Sequence, residues 1–321
     1  MSNIKGFCFG EVLWDNLPTG RKLGGAPLNV AYHLNKLGVH TDMLTRVGDD
    51  PAGRDLLETC ASLGVPMRFF QRDAEHPTST VEVRMDENRD VRYDIVFPVA
   101  WDYISCGEAE QEAVRQADFF VFGSLSARNG ESRQTLLALL DAARYKVLDL
   151  NLRAPHYDRE RVFELLHRAD LLKMNEEELA FVSRWLGIPE ERTDGQKAEQ
   201  IMDAFDVPEI IATYGASGSV YHSRIGKFSY HFPAVRVEVN DTIGSGDSFL
   251  AAFLSQRCRQ DRAIGPEEIM EFAATLSAFV TLSSGACPAY DAQTINRFRW
   301  LNPVYPQSPN PPKEETMPLS R

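Results

Sequence analysis

The chain has 321 residues, 43% hydrophobic and 25% charged, enough for one large domain or two modest ones with a core that needs no disulfide or metal staple. Its 34 Lys and Arg against 46 Asp and Glu leave a net charge of −12, a field that repels a phosphate backbone and argues against general nucleic-acid binding. No run approaches the ~18–20 apolar residues of a membrane span, and the start MSNIKGFCFGEV has neither a secretory apolar region nor a small-residue cleavage site. Five widely spaced cysteines (Cys8, Cys60, Cys106, Cys258 and Cys287) without CxxC fit thiols in a reducing compartment. Seven scattered histidines show no HExxH and no zinc spacing. A soluble, cytoplasmic protein is expected.

In chain order, apolar runs predict strands at Ile4–Phe9, Thr41–Thr45, Asp118–Phe122, Lys146–Asp149, Leu171–Met174 and Glu209–Thr213. Helix-period stretches separate them at Ala26–Leu37, Pro51–Leu63, Glu108–Gln116, Glu131–Arg144, Arg159–His167 and Gln196–Ala204. Strand-then-helix alternation predicts a mostly parallel sheet covered on both faces, with ligands bound outside the carboxyl ends of its strands. Thr80–Phe97 breaks the rhythm. Val81, Val83 and Met85, then Val91, Tyr93, Ile95 and Phe97, share one parity about a polar DENRD turn, which predicts a hairpin with one apolar face. A lone hairpin is not stable in water, so that face must cover the sheet, a ligand or a partner subunit. From Asn302 the proline-rich NPVYPQSPNPPKEETMPLSR predicts an extended or disordered tail.

Several segments carry chemistry, each with a plainer structural reading beside it. GEVLWD places Glu11 and Asp15 in the loop after the first strand, although two acids in a loop are usually just solvated. LGGAPLNVAYHLNKL sets Gly24 and Gly25 before an apolar helix with Asn29 on its first turn; a Gly-Gly pair alone is more often a turn than a site. In LKMNEEEL, Asn175 and Glu178 share a helix face, where they can form a capping box, approach hydrated magnesium, or both. IATYGASGSVY reads as strand, glycine turn at Gly215 and Gly218, and second strand. NDTIGSGDSF puts Gly244, Ser245 and Gly246 at a helix start, where exposed amides and the macrodipole attract anions, with Asp247 in the first turn. It lacks the third glycine of a dinucleotide fingerprint, and no GxxxxGK[ST] occurs.

These motifs in this order resemble the ribokinase-like (PfkB) family of carbohydrate kinases over roughly residues 4–300. LGGAPLNVA is similar to the family's amino-terminal signature and DTIGSGDSF to its DTxGAGD signature. The resemblance implies a three-layer α/β/α sandwich with a mostly parallel central sheet and a small β lid. It also implies one kinase domain over 1–300, with lid strands near 11–20 and 80–97, ahead of the 302–321 tail. It makes Asp247 the base for a sugar hydroxyl, and Gly244, Ser245 and Gly246 the amide donors to the transferring phosphoryl group. Asp15, Gly24, Gly25 and Asn29 bind the sugar, and Arg153, with Asn151, contacts substrate or phosphate. Asn175 and Glu178 match the family's NxxE element, which organises Mg2+ through water, and Thr213, Gly215 and Gly218 line the ATP site. Asp241, Ile243 and Gly285 are the oxygen donors for a monovalent cation such as K+, although LSSGACP lacks the basic residue often found before the final glycine.

GEVLWD, GGAPLNVA and DLNLR look most like bacterial fructokinases, and Trp101 in VAWD resembles an aromatic-acid pair of that branch. The implied reaction is ATP-dependent phosphorylation of a primary sugar hydroxyl, fructose O6 first. The alternatives are a 2-keto-3-deoxygluconate, ribose or nucleoside kinase, or a catalytically silent sugar-binding protein. Sugar and ATP are the implied partners, with a homodimer through the lid.

Overall fold

Because both faces of the central sheet are covered, its inner strands are mostly apolar. A computed structural model describes residues 4–17, 20–85, 91–259 and 263–304, with backbone alone for 17, 82–85 and 91–93. Strand β1 (Lys5–Phe9) is followed by β2 (Leu13–Leu17), β3 (Gly20–Gly24) and helix α1 (Ala26–Lys36). Next come β4 (His40–Gly48), α2 (Pro51–Ser62), β5 (Phe69–Asp73), β6 (Thr80–Met85) and β7 (Val91–Ile95). The alternation continues through α3 (Glu108–Gln116), β8 (Phe119–Gly123), α4 (Gly130–Ala142), β9 (Lys146–Asp149), α5 (Arg159–Leu166) and β10 (Leu171–Asn175). The chain then forms α6 (Glu176–Trp185), α7 (Asp194–Phe205), β11 (Glu209–Thr213), β12 (Ser219–Ser223) and β13 (Phe228–Phe232). Helices α8 (Ser245–Arg257), α9 (Pro266–Thr281) and α10 (Ala292–Leu301) complete it.

The large sheet has the order β13-β12-β11-β10-β9-β8-β1-β4-β5. From β5 to β11 every neighbouring pair is parallel, and β12 and β13 add an antiparallel edge. Successive residues of each strand feed opposite cores. Cys8, Val121, Leu171 and Ile211 belong to the side packed with α1, α8 and α9, while Phe7, Phe9, Phe120, Leu172 and Ile210 belong to the other. This is the expected three-layer sandwich, and the double burial explains the uninterrupted apolar runs.

The four remaining strands form a separate small sheet in the order β3-β2-β6-β7. Its register sets Val81 opposite Ile95, Val83 opposite Tyr93 and Met85 opposite Val91, as the shared parity requires. Two flanking contacts hold it to α2: Trp14 Nε1 donates to the Ala52 carbonyl at 2.9 Å, and Arg21 pairs with Asp55 at 2.6 Å. Most of the predicted tail, residues 305–321, lies outside the described residues.

Some boundaries differ from expectation for local reasons. The strand predicted at Thr41–Thr45 runs over His40–Gly48, because it pairs with both β1 and β5. Helix α7 starts at Asp194 rather than Gln196, since Thr193 and Gln196 exchange capping-box bonds. Strands β5 and β13 and helices α9 and α10 were not read from the sequence, β5 and β13 because their mixed polarity (FFQRD, FSYHF) suits half-buried edges.

Trp101 has a structural setting. It is fully buried, with the Arg128 guanidinium 3.9 Å above its ring, and that guanidinium forks onto both oxygens of buried Asp102 at 2.7 and 2.8 Å. Arg128 also donates to the Val96 carbonyl just beyond β7, tying the hairpin's exit to the body. Removing one partner strands a buried charge. Asp102→Ala should therefore cost ~3–5 kcal/mol in urea unfolding, with Asp102→Leu/Arg128→Met recovering much of it. A loss below ~1 kcal/mol for the single variant would contradict this.

Candidate active site

At residue 244 the chain turns sharply to begin α8. Gly244 has φ 77°, and a Cβ there would lie 2.5 Å from the Ala286 methyl, so both conformation and space demand glycine. Ser245 already gives its N–H to the Thr242 carbonyl at 3.2 Å. The amides of Gly246 and Asp247, in the helix's first turn, have no intrahelical partner, and with Gly246 lining a cavity this helix start, called the cradle below, suits an anion.

Beneath the cradle lies a pair that the motifs did not reveal. Lys173 of β10 donates to both oxygens of Asp149, at the end of β9, at 2.8 and 2.9 Å. Its ammonium lies 3.2 Å from where a Cβ on Gly246 would stand. Burial disfavours its charge, but Asp149, Asp247 and Glu178 hold its pKa above that of an ordinary lysine. The available signal was a lysine inside an otherwise apolar strand, LLKMN.

Asp247 occupies the third position of α8. It is packed into the cleft yet reachable from solvent, and its Oδ2 accepts from Asn29 Nδ2 at 2.8 Å. The Cys287 thiol donates to Asn29 Oδ1 at 3.5 Å, which fixes the amide's orientation toward the carboxylate. Burial, then Asp149, raises the Asp247 pKa to about 6, while Lys173, Asn29 and Arg153 oppose the rise.

Asn29 is presented by α1, and α1 is entered through Gly25. That residue has φ 116°, and a Cβ on it would strike the Glu11 carbonyl. Glu11 is 2% exposed, its Oε2 lacks a hydrogen-bond partner, and burial followed by the Asp247 charge pushes its pKa to about 7 against the pull of its own and the Ala26 amide. Asp15 on β2 is raised to about 6, by burial first, with Arg153 lowering and Asp241 raising it. Gly24 pairs with Leu13 across β2 and β3, beside the Asp15 carboxylate. Exposed Arg153 thus acts electrostatically on Glu11, Asp15 and Asp247 together.

On the other side of the cradle, Asn175 caps α6. Asn175 Oδ1 accepts from the Glu178 amide at 2.9 Å, and the Glu178 carboxylate accepts from Asn175 N at 2.9 Å and Leu152 N at 2.8 Å. Burial raises the Glu178 pKa, partly offset by these amides. Thr213 stands opposite Asn175 in the sheet. A cavity of about 520 Å³ opens beside it, lined by Gly215, Gly218, Val235, Val237, Phe249 and Ala274, and it also borders Ser245 and Gly246. Mostly apolar walls that end on an anion cradle suit a nucleobase with its phosphates. Asp241 Oδ1 accepts from Ile243 N and Oδ2 from Gly285 N, both at 3.0 Å. No helix among the described residues is long and apolar enough to cross a membrane.

A parallel α/β sheet carrying an anion cradle, an amide-held carboxylate and a base-sized cavity defines a nucleotide-dependent phosphotransferase. The chain belongs to the pfkB family of carbohydrate kinases, whose pattern matches residues 6–293. It is 32% identical over 307 residues to a fructokinase of Klebsiella pneumoniae, covering 89% of this chain and 96% of that one. It is 29% identical over 280 residues to the aminoimidazole riboside kinase of Salmonella typhimurium, covering 83% and 84%. Its fold is similar to that of a fructokinase double mutant from Vibrio cholerae O395 in fructose-, ADP- and potassium-bound form. The TM-score is 0.78 at 23% identity, over 92% of this chain and 98% of that one.

Because the folded state raises the Glu11 pKa from 4.5 to about 7, it holds that proton more tightly than the unfolded chain. The resulting stability is complete at acid pH and is lost as pH rises through this window. In urea unfolding across it, Glu11→Gln should flatten the decline. An unchanged slope would contradict the burial argument.

Proposed function

We propose that this carbohydrate kinase transfers the γ-phosphoryl group of ATP to a primary hydroxyl of a free sugar, with fructose O6 the leading acceptor. The observation that carries this reading is the Asn29–Asp247 bond, which joins the glycine-led helix of the sugar side to the first turn of the cradle helix. A hydroxyl placed on Asp247 would lie between the two. Asp15, Gly24, Gly25 and Asn29 would hold the sugar, with Arg153 at its rim, and Thr213, Gly215 and Gly218 would hold ATP. The 32% identity to the Klebsiella fructokinase supports fructose.

Phosphoryl transfer asks the protein for alignment and charge neutralisation more than for covalent chemistry. Asp247 orients the attacking hydroxyl and takes its proton late, since an alcohol becomes acidic only as the new bond forms. The cradle amides and Lys173 meet negative charge developing on the phosphoryl oxygens. Mg2+, when bound, neutralises phosphate charge. Asn175 and Glu178 suit it through water, because their oxygens are already engaged by amides while keeping lone pairs for a further donor. The donor set expected for K+ fits less well. The amides of Ile243 and Gly285 converge on the Asp241 carboxylate, and Lys22 stands 3.8 Å from it, so no step is assigned to a monovalent cation.

In the same reading, residues 1–300 form one kinase domain with the small sheet as its lid, excluding water from the reaction. Phe97, 53% exposed beyond β7, supports a second copy of the chain against the lid. Five unpaired cysteines support a cytoplasmic setting, and neither nucleic acid nor membrane is a partner. A riboside or keto-acid acceptor is the second reading, favoured by the 29% identity to the riboside kinase and by the cationic Arg153 at the sugar end.

A coupled ADP-release assay over fructose, ribose, 2-keto-3-deoxygluconate, adenosine and aminoimidazole riboside should give fructose the highest kcat/KM; a clear winner elsewhere replaces it. With the preferred sugar, Asp247→Asn should cut kcat at least ~100-fold while the fold persists, and near-normal turnover would overturn the assignment of the base. Since the base works ionised, turnover should fall as pH drops through about 6.

A further inference from the structure

Lys22 has no part in the reaction as described. It lies on β3 opposite Asp15 of β2, and its side chain leaves the small sheet for the main body. Its ammonium donates to Ser284 Oγ, 262 residues away in sequence, and stands 3.8 Å from Asp241 Oδ2. Its stem passes 3.3 Å from where a Cβ on Gly285 would stand, so the bare glycine leaves the space that the lysine uses.

The segment it reaches also backs the cradle. Ala286 packs directly against Gly244. The Ala286 carbonyl accepts from His33 Nε2 at 2.9 Å, and His33 Nδ1 meets the Tyr290 hydroxyl at 2.8 Å. The ring nitrogen facing the carbonyl must donate, and because burial lowers the His33 pKa to about 4 the imidazole is neutral, so its other nitrogen accepts from the tyrosine. One side of the 284–290 segment is thereby fastened to α1, the helix that presents Asn29. The other side has Lys22.

We propose that Lys22 is a positioning residue that locks the small sheet onto the 284–286 segment and supplies, from within the chain, the positive charge that a monovalent cation would bring to Asp241. Asp15 and Lys22 are cross-strand neighbours, so whatever seats Asp15 on a sugar also seats Lys22 on Ser284 and Asp241. Closure over the sugar is thus transmitted through Gly285 and Ala286 to Gly244 and the cradle amides. A tethered ammonium is present whatever the salt, whereas a dissolved ion must be bound at its ambient concentration. The catalytic consequence rests on the sugar-kinase reading; the contact itself does not.

The test compares wild type with Lys22→Met in potassium chloride and in tetramethylammonium chloride at equal ionic strength, using ATP, Mg2+ and the preferred sugar. Wild type should turn over equally in the two salts, within about twofold, as expected when the charge is built in. Lys22→Met should lose ~10-fold in kcat/KM in tetramethylammonium, mainly through KM for the sugar, and regain part of it in potassium. Hydrogen exchange without substrates should show the amides of Gly20–Gly24 opening faster in the variant. A wild type that needs potassium, or a variant with unchanged exchange and kinetics, overturns the proposal. Should Lys22→Met fail to fold, Ser284→Ala removes only the acceptor and should quicken the same amides; unchanged exchange there also overturns it. If no sugar of the panel is turned over, the kinase reading falls while exchange still decides the lock.

Discussion

The cleft is organised around one electrostatic difficulty: a carboxylate must stay available for ionisation while packed among other carboxylates. Asp247 has Asp149 and Glu11 as neighbours, and Asp15 and Asp241 repel one another. What makes this tolerable is the distribution of donors. Asn29 takes one oxygen of Asp247, Lys173 neutralises Asp149, and backbone amides occupy Glu178 and Asp241. These donors come from separate parts of the chain: the first helix, the middle of β10, and loops after β9 and around α8 and α9. The relative placement of α1, α8, β9 and β10 is therefore set by charge as much as by apolar packing.

The same donors resolve the mismatch between a net charge of −12 and a ligand that is itself an anion. Positive potential is local and directional, built from the start of α8, buried Lys173 and exposed Arg153. Overall charge governs long-range encounter and solubility, whereas a phosphate in the cleft meets the potential of its nearest few donors.

The architecture was legible because the inner strands of the large sheet are buried on both faces, so their apolar runs stand out without any partner being known. Edge strands such as β5 and β13 lack that property and merged with their surroundings. Within the site, residues whose function requires a special backbone were legible, among them Gly25, Gly244 and the capping pair Asn175–Glu178. Residues whose role depends on a distant partner were not. Lys173 needs Asp149 from the neighbouring strand, Cys287 needs Asn29 from the first helix, and Lys22 needs Ser284, and nothing local announces any of these pairings. Trp101 was noted as part of an aromatic-acid pair, but its packing under the Arg128 guanidinium, which is bonded to Asp102, again depends on a distant partner.

The position of β1 in the strand order bears on how the chain comes together during synthesis. β1 is made first yet lies inside the sheet, with β4 on one side and β8 on the other. After β5 the chain leaves the large sheet, lays down β6 and β7 beside β2, and only then returns to the open edge of β1. A nascent chain can complete β1, β4 and β5 early, but β1 keeps one unpaired edge until more than a hundred residues have followed it. That wait is long on the timescale of local structure formation. An exposed edge of KGFCF during translation is a sticky one, and all four strands of the small sheet are synthesised in the interval before β8.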